Sequence, residues 1–331
     1  MLTFAQPLKK LLIATLGAAA LALAQSASAD WILTFAHAHP VADSQHLAAE
    51  RFAEQVSRRT EGEVSVRIFP NGQLGNDPGM IAGVRGGTID IELSGNPYFS
   101  GLIGEFNVLD LPFLFENQDE AHRVLDGRVG QALLDRMTAK GIKGLAFWEI
   151  GFRNLTNSRR PVENASDIKG LKLRTTPNPA HILAFKALGA NPVPLPFAEL
   201  FTALETRTVD GQENPVTLIR SANLYSVQEY LSLTAHAYTA APLIMNRAKF
   251  DGLPAEYRRV IVEEALAAAR YQRRLNSERV DRDLAFLKAQ GMKVVDRPDR
   301  ESMRAVVEQP VREAFVAKYG PELLDAVEQA K

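Results

Sequence analysis

Residues 171–195 read LKLRTTPNPAHILAFKALGANPVPL, and this run decides the architecture. Leu171 and Leu173 alternate onto one face of a short strand, Leu171–Arg174. Pro177-Asn178-Pro179 punctuates the chain, and Ala180–Leu188 follows as a helix before a second strand at Val193–Leu195. Strand, helix and strand in that order form a unit whose two strands lie parallel, with the helix crossing one face of the sheet.

The same alternation extends in both directions. Upstream, Trp31–Ala36 reads as a strand, and Ser44–Arg59 as an amphipathic helix with Leu47, Ala48, Phe52 and Val56 inward. Val64, Val66 and Ile68 alternate as a strand closed by Pro70-Asn71-Gly72. Met80–Arg85 is a short helix, and Ile89–Leu93 is a buried strand ending in Ser94-Gly95-Asn96-Pro97. Glu120–Lys140 is helical and Ile142–Trp148 a strand, so this half too is expected to hold a parallel sheet.

Downstream, Phe197, Leu200, Phe201 and Leu204 share one face of a helix over Phe197–Glu205, and Val209-Asp210-Gly211 ends a short strand. Leu231–Thr239 and Leu243–Asn246 are strands again. Helical periodicity then runs from Pro254 to about Gln290, far beyond the usual helix length. Its middle, AARYQRRLNSERVDRD, is charged, as suits a helix that spans two lobes with one side in water. Met292–Val295 and two helices complete the chain. The expected fold is α/β and two-lobed, each lobe a central sheet flanked by helices, with a cleft between them. Residues 30–150 with about 240–279 form the first lobe, and 151–239 with about 280–331 the second.

Composition narrows the function. The chain has 331 residues, 38 Lys and Arg against 39 Asp and Glu, and no Cys. Near-neutral charge argues against a broadly basic nucleic-acid binder. Without Cys there is no thiol catalysis, disulfide or iron–sulfur cluster. Lys9-Lys10, the apolar run Leu11–Ala24 and Ala27-Ser28-Ala29 have the three-part layout of a secretory leader cleaved after Ala29. The apolar run is 14 residues, too short to cross about 30 Å of hydrocarbon. The expected compartment is the periplasm.

In open α/β sheets ligands sit beyond the carboxyl ends of strands. Arg174 closes its strand there, and its planar guanidinium suits a bidentate carboxylate; an idle surface arginine fits the same position. Arg153, in Gly151-Phe152-Arg153-Asn154, follows the strand ending at Trp148 and reads equally as a second anion contact or as turn charge. Pro215 holds Asn214 extended and presents its amide, although a plain helix cap fits as well. Phe197 is an aromatic wall or simply core. His37-Ala38-His39 places two imidazoles on one face of a strand, the one metal-like signal, with His181 and His236 as unsupported further ligands. No phosphate loop, nucleophile elbow or acid–base pair is present in the sequence.

Together these segments resemble the substrate-binding proteins of TRAP transporters, of the DctP type, over nearly all of residues 30–331. The resemblance rests on Gly72-Gln73-Leu74-Gly75, Gly87-Thr88-Ile89-Asp90, and Gly151-Phe152-Arg153-Asn154-Leu155-Thr156-Asn157. Its most specific parts are Asp167-Ile168-Lys169-Gly170-Leu171-Lys172-Leu173-Arg174, Ala187-Leu188-Gly189-Ala190-Asn191-Pro192 and Val209-Asp210-Gly211-Gln212-Glu213-Asn214-Pro215.

The resemblance implies a periplasmic-binding-protein fold and no catalysis. It assigns Arg174 to the ligand carboxylate as a bidentate pair, Arg153 to assist it, Asn214 to the same region and Phe197 to packing on the ligand. First-lobe contacts vary in the family; His37, Ser94, Gly95 and Asn96 are the candidates here. Gly95-Asn96 stands where sialic-acid binders carry an acid, which argues against that ligand. The implied partners are a small anionic organic acid and the integral membrane TRAP permease, with no nucleic acid, cofactor or metal, and nothing demands more than a monomer. A zinc hydrolase built on His37 and His39, and a sensor feeding a membrane kinase, are the competing readings.

Overall fold

The computed structural model describes residues 31–331. The leader and its cleavage after Ala29 lie outside them. The strands and helices, in order, begin with β1 (Trp31–His37), α1 (Ser44–Arg59), β2 (Val64–Phe69), α2 (Asp77–Gly86) and β3 (Ile91–Leu93). Next come α3 (Gln118–Asp126), α4 (Arg128–Arg136), β4 (Ile142–Asn157), β5 (Lys172–Thr175), α5 (Pro179–Ala187) and β6 (Asn191–Pro194). Then follow α6 (Leu200–Glu205), β7 (Gly211–Asn214), α7 (Val216–Ser221), β8 (Tyr230–Asn246) and α8 (Arg247–Gly252). The chain finishes with α9 (Ala255–Ala289), β9 (Lys293–Val295), α10 (Arg300–Tyr319) and α11 (Glu322–Ala330).

The strands lie in the order β2-β1-β3-β8-β4-β7-β5-β6, with β9 on β8. Strands β4 and β8 are antiparallel from Ile142↔Asn246 to Asn157↔Tyr230. Strand β3 extends one end of this ladder by pairing with residues 243–245, and β7 extends the other by pairing with 154–157. The two lobes therefore share two continuous strands.

The structure corrects four sequence expectations. The sheet is mixed: β1–β2, β1–β3 and β5–β6 are parallel, while the central pairings are antiparallel. The strand read as ending at Trp148 continues to Asn157, which puts Arg153 inside it. The two strands read at 231–239 and 243–246 are one. Pro242, opposite Phe147, removes a ladder donor and mimics a break, but the pairing resumes on both sides. The helix expected over Glu120–Lys140 divides at Gly127, whose extended φ −89, ψ −165 both ends α3 and starts α4.

Register shifts interrupt β4–β8 between Gly144 and Ala146, Glu149 and Gly151, and Arg153 and Leu155. Gly151 has φ +119, a conformation open to glycine and strained for other residues. Each shift is a local bend in an otherwise stiff ladder.

Helix α9 is 35 residues long and packs on α1, β4 and α7. Near its start Ile261, Ala265 and Ala268 join Phe35, Phe52 and Trp148 in the first-lobe core. Near its end Leu287 joins Leu200, Ile219 and Leu231 in the second. Its waist is buried but polar. Gln272 accepts from Glu149 N–H at 3.0 Å and donates to Glu149 O at 3.0 Å, and Arg273 donates to Phe147 O at 2.7 Å. Asn276 reaches Glu149 Oε1 at 2.8 Å and Ile150 O at 3.2 Å. The bonds to Phe147 O and Ile150 O serve carbonyls where Pro242 offers no N–H and where the β4–β8 register shifts. Among the described residues no helix is long and apolar enough to cross a membrane.

Candidate functional site

A small, nearly filled cavity lies between the lobes where β4 and β8 bend. Arg153, Arg174, Phe197 and Asn214 all line it. So do His39, Asp77 and Tyr98, which the sequence reading did not place in a ligand site.

Arg174 sits on β5 beside Val193 of β6 and is 1% exposed. Its Nε and Nη2 donate to Leu195 O at 2.9 and 2.6 Å, and Nη2 also donates to the Tyr98 hydroxyl at 3.0 Å. None of these acceptors is a carboxylate, so the buried guanidinium has no directly bonded counterion. That costs free energy that an anion would recover. Tyr98 belongs to the 3₁₀ turn Asn96–Phe99 in the first lobe, so this bond closes the cleft.

Arg153 is differently placed. It points from β4 toward β7, where Nε and Nη2 engage both carboxylate oxygens of Glu213, and Nη1 donates to Thr239 Oγ1 at 3.1 Å. Nη2 also donates to Asn214 Oδ1 at 3.1 Å, and Asn214 Nδ2 donates to Gln212 at 2.6 Å. Burial alone would raise the Glu213 carboxyl, but Arg153 and the His236 ring at 3.3 Å overcome it and hold it well below the usual carboxylate range. The result is a neutralised pair bearing Asn214 on its cavity side.

Phe197 stacks on His39, ring centroids 5.5 Å apart and planes 12° from parallel, one ring from each lobe. His39 lies 3.6 Å from Asp43. Burial works against the Asp43 charge, but His39, the Gln45 N–H at 2.9 Å and the Ser221 hydroxyl at 2.9 Å bring its carboxyl below the ordinary value. Ser221 belongs to the second lobe, so Asp43 ties the lobes at the cavity's edge.

Two predicted contacts do not reach the cavity. His37 turns away on β1 to meet His46 Nδ1 at 3.1 Å, and burial, with His39 and His46 adding, takes its imidazole down to about 3. Asn96 is fully buried and donates to Phe106 O at 2.9 Å and Asp110 Oδ2 at 2.8 Å. The expected His37/His39 face does not form, because β1 ends at His37 and the following bend sends His39 the other way. Among the described residues no three His, Asp or Glu side chains converge to hold a metal. Gly95 does line the cavity, while Ser94 lies behind it, donating to Asp77 Oδ1 at 3.1 Å.

The missed groups come from turns and helix starts. Asp77 is the first residue of α2 and follows the cap Asn76, a pattern that reads as ordinary helix capping. It is 1% exposed, burial raises its carboxyl, and Oδ2 has no protein partner. The one available signal was Asn96-Pro97-Tyr98 itself, a turn carrying an aromatic hydroxyl after a buried strand.

Two α/β lobes sharing two strands and a long helix, with a buried cation in the cavity between them, define a solute-binding protein. The family profile of bacterial extracellular solute-binding protein family 7, DctP, matches residues 35–318. The chain belongs to this family, the periplasmic, non-catalytic solute-binding components of TRAP transporters. It is 45% identical over 312 residues to the 2,3-diketo-L-gulonate-binding periplasmic protein YiaO of Escherichia coli, covering 94% of this chain and 95% of that one. It is similar to the sugar acid binding protein DctPAm of Advenella mimigardefordensis solved with galactonate, at TM-score 0.87 and 40% identity over 91% of this chain and 98% of that one. A TRAP periplasmic solute-binding protein of Polaromonas bound to D-erythronate matches at TM-score 0.88 and 38% identity, over 90% and 98% of the two chains.

Proposed function

We propose that this cavity captures a small organic acid by its carboxylate and that the closed, loaded protein delivers it to the membrane subunits of a TRAP permease. The observation that carries this reading is Arg174, a buried guanidinium that no carboxylate neutralises. The acid seats as a charge-assisted pair on Arg174 Nη1, the guanidinium nitrogen that Leu195 and Tyr98 leave free. Asn214, oriented by Arg153, adds a polar contact, and Phe197 covers the carbon chain. Hinge motion follows the bends in β4 and β8, dividing residues 30–150 and about 240–279 from 151–239 and about 280–331. A ligand favours the closed form only through contacts it makes better there, and the Arg174–Tyr98 and His39–Phe197 contacts bring groups of both lobes to the one cavity where a ligand can touch them together. The protein works in the periplasm as a monomer after cleavage behind Ala29 and does no chemistry on its ligand. The sugar acids bound by the relatives support this ligand class.

The test is thermal unfolding of residues 30–331 against organic acids and their amides or alcohols. A true ligand at a hundred times its dissociation constant adds about 2.7 kcal/mol, a shift of several degrees. Equal shifts by an acid and its amide would overturn the carboxylate anchor.

A further inference from the structure

The charges around the cavity bear on which acid fits. Apart from Tyr98, four ionisable side chains line it: His39, Asp77, Arg153 and Arg174. Two of them are already matched from behind, Arg153 by Glu213 and His39 by Asp43. That leaves one cation without a counterion, Arg174, and one acid, Asp77. Asp77 is close enough to feel the charges of His39 and Arg174, yet no ion pair joins it to either. Its Oδ1 is held by the Ser94 hydroxyl, and its buried Oδ2 has no partner. Behind Ser94 stands Glu92, fully buried with its own Oε2 unpartnered and its carboxyl pushed well above the usual range by burial. Glu92 Oε1 meets the same Ser94 hydroxyl, and among the described residues no cation forms an ion pair with either acid.

Resting on the proposed carboxylate site, we infer that the ligand is a hydroxylated monocarboxylate, with its one carboxylate on Arg174 and a hydroxyl on Asp77 Oδ2, and that Asp77 rejects dicarboxylates. A ligand hydroxyl satisfies the orphan oxygen. A second carboxylate placed there would meet a buried acid, with the Arg174 charge already taken by the first carboxylate and His39 facing Asp43, and like charges at such range are strongly unfavourable.

The experiment is calorimetric titration of residues 30–331 with acid pairs that differ only in the far end. The probes are galactonate with galactarate, gulonate with glucarate, erythronate with meso-tartrate, plus 2-keto-gulonate and succinate. The expected result is that the tightest-binding monocarboxylate beats its dicarboxylate counterpart and succinate by at least about tenfold. Asp77→Ala should weaken that monocarboxylate by about tenfold. Asp77→Asn, which keeps shape and folding, should shrink the gap between the paired acids to about threefold. Dicarboxylates binding as tightly as their partners, or an unchanged ratio in a folded Asp77→Asn protein, would overturn this inference while leaving the Arg174 anchor standing. Binding of no acid at all would overturn the anchor as well.

Discussion

Arg174 Nη2 and the Tyr98 hydroxyl meet at 3.0 Å across the mouth of the cleft, one from each lobe. The group that should hold the ligand is therefore also a group that holds the lobes together. Tyr98→Phe removes this bond and nothing else of that size. A neutral acceptor to a charged donor is worth about 1.5–3 kcal/mol, part of which water replaces when the cleft opens. The expected outcome is a three- to thirtyfold loss of acid affinity with an unchanged unfolding midpoint for the empty protein, checked by titration and thermal unfolding.

Arg174→Ala should weaken acid binding by about a hundredfold, and Arg174→Lys should be nearly as poor, because an ammonium cannot grip Leu195 O and Tyr98 while presenting a further N–H to the acid. The measurement is the dissociation constant of the best acid from the screen. Affinity close to wild type in either variant would show that the carboxylate sits elsewhere.

Glu213→Gln leaves Arg153 buried without its counterion and should cost about 3–5 kcal/mol of stability in denaturant unfolding. The pH dependence has a definite sign. Folding holds the Glu213 carboxyl below its ordinary value of 4.5, so its contribution is present above that pH and is lost as pH falls toward the depressed value. The glutamine variant should lack that part of the acid slope.

His37 and His181 have imidazoles lowered to about 3, in both cases mainly by burial. Each is neutral when folded, so each destabilises the fold as pH drops below the unfolded value of 6.5 and stops adding to the slope near 3. At about pH 5 the effect is roughly 2 kcal/mol per histidine. His37→Gln should flatten this slope in unfolding experiments while leaving acid affinity within about twofold, since the ring does not line the cavity.

Gly151→Ala places a side chain at φ +119, with a Cβ 3.3 Å from Asn276 Nδ2. Backbone strain of about 1–3 kcal/mol is expected, seen as a lower unfolding midpoint. Scattering that compares empty and loaded protein should show a smaller change on ligand addition than in the parent.

The parts legible in the sequence are those governed by short-range pattern. The run from Leu171 to Leu195 gave strand, helix and strand because apolar spacing and proline placement agree there. Arg174, Phe197 and Asn214, which line the cavity, are legible because each follows or ends such an element. Arg153 was located in the right region but put in a turn, since Gly151 looks like a stop and is instead a bend within a continuous strand. Glu213 was passed over because β7 is a fully buried strand made of Gly211, Gln212, Glu213 and Asn214, which carries no hydrophobic signal. Its burial is possible only because Arg153 arrives from β4. Asp77, Tyr98 and His39 come from turns and a helix start, and what they face depends on how two lobes meet, a relation that no local pattern encodes.

The chain passes between the lobes three times in stiff form, along β4, along β8 and along α9, whose polar waist is stitched to β4 at Glu149. A single tether would let the lobes swing and twist through many mutual orientations. Three crossings that do not lie on one line suppress twist and sliding and leave little besides a bend at the register shifts. Much of the orientational freedom that two separate bodies would lose on meeting is thus already gone in the empty protein. His39 finds Phe197, and Tyr98 finds Arg174, because the path of approach is built into the backbone. The ligand then has only to tip a balance between two positions on that path.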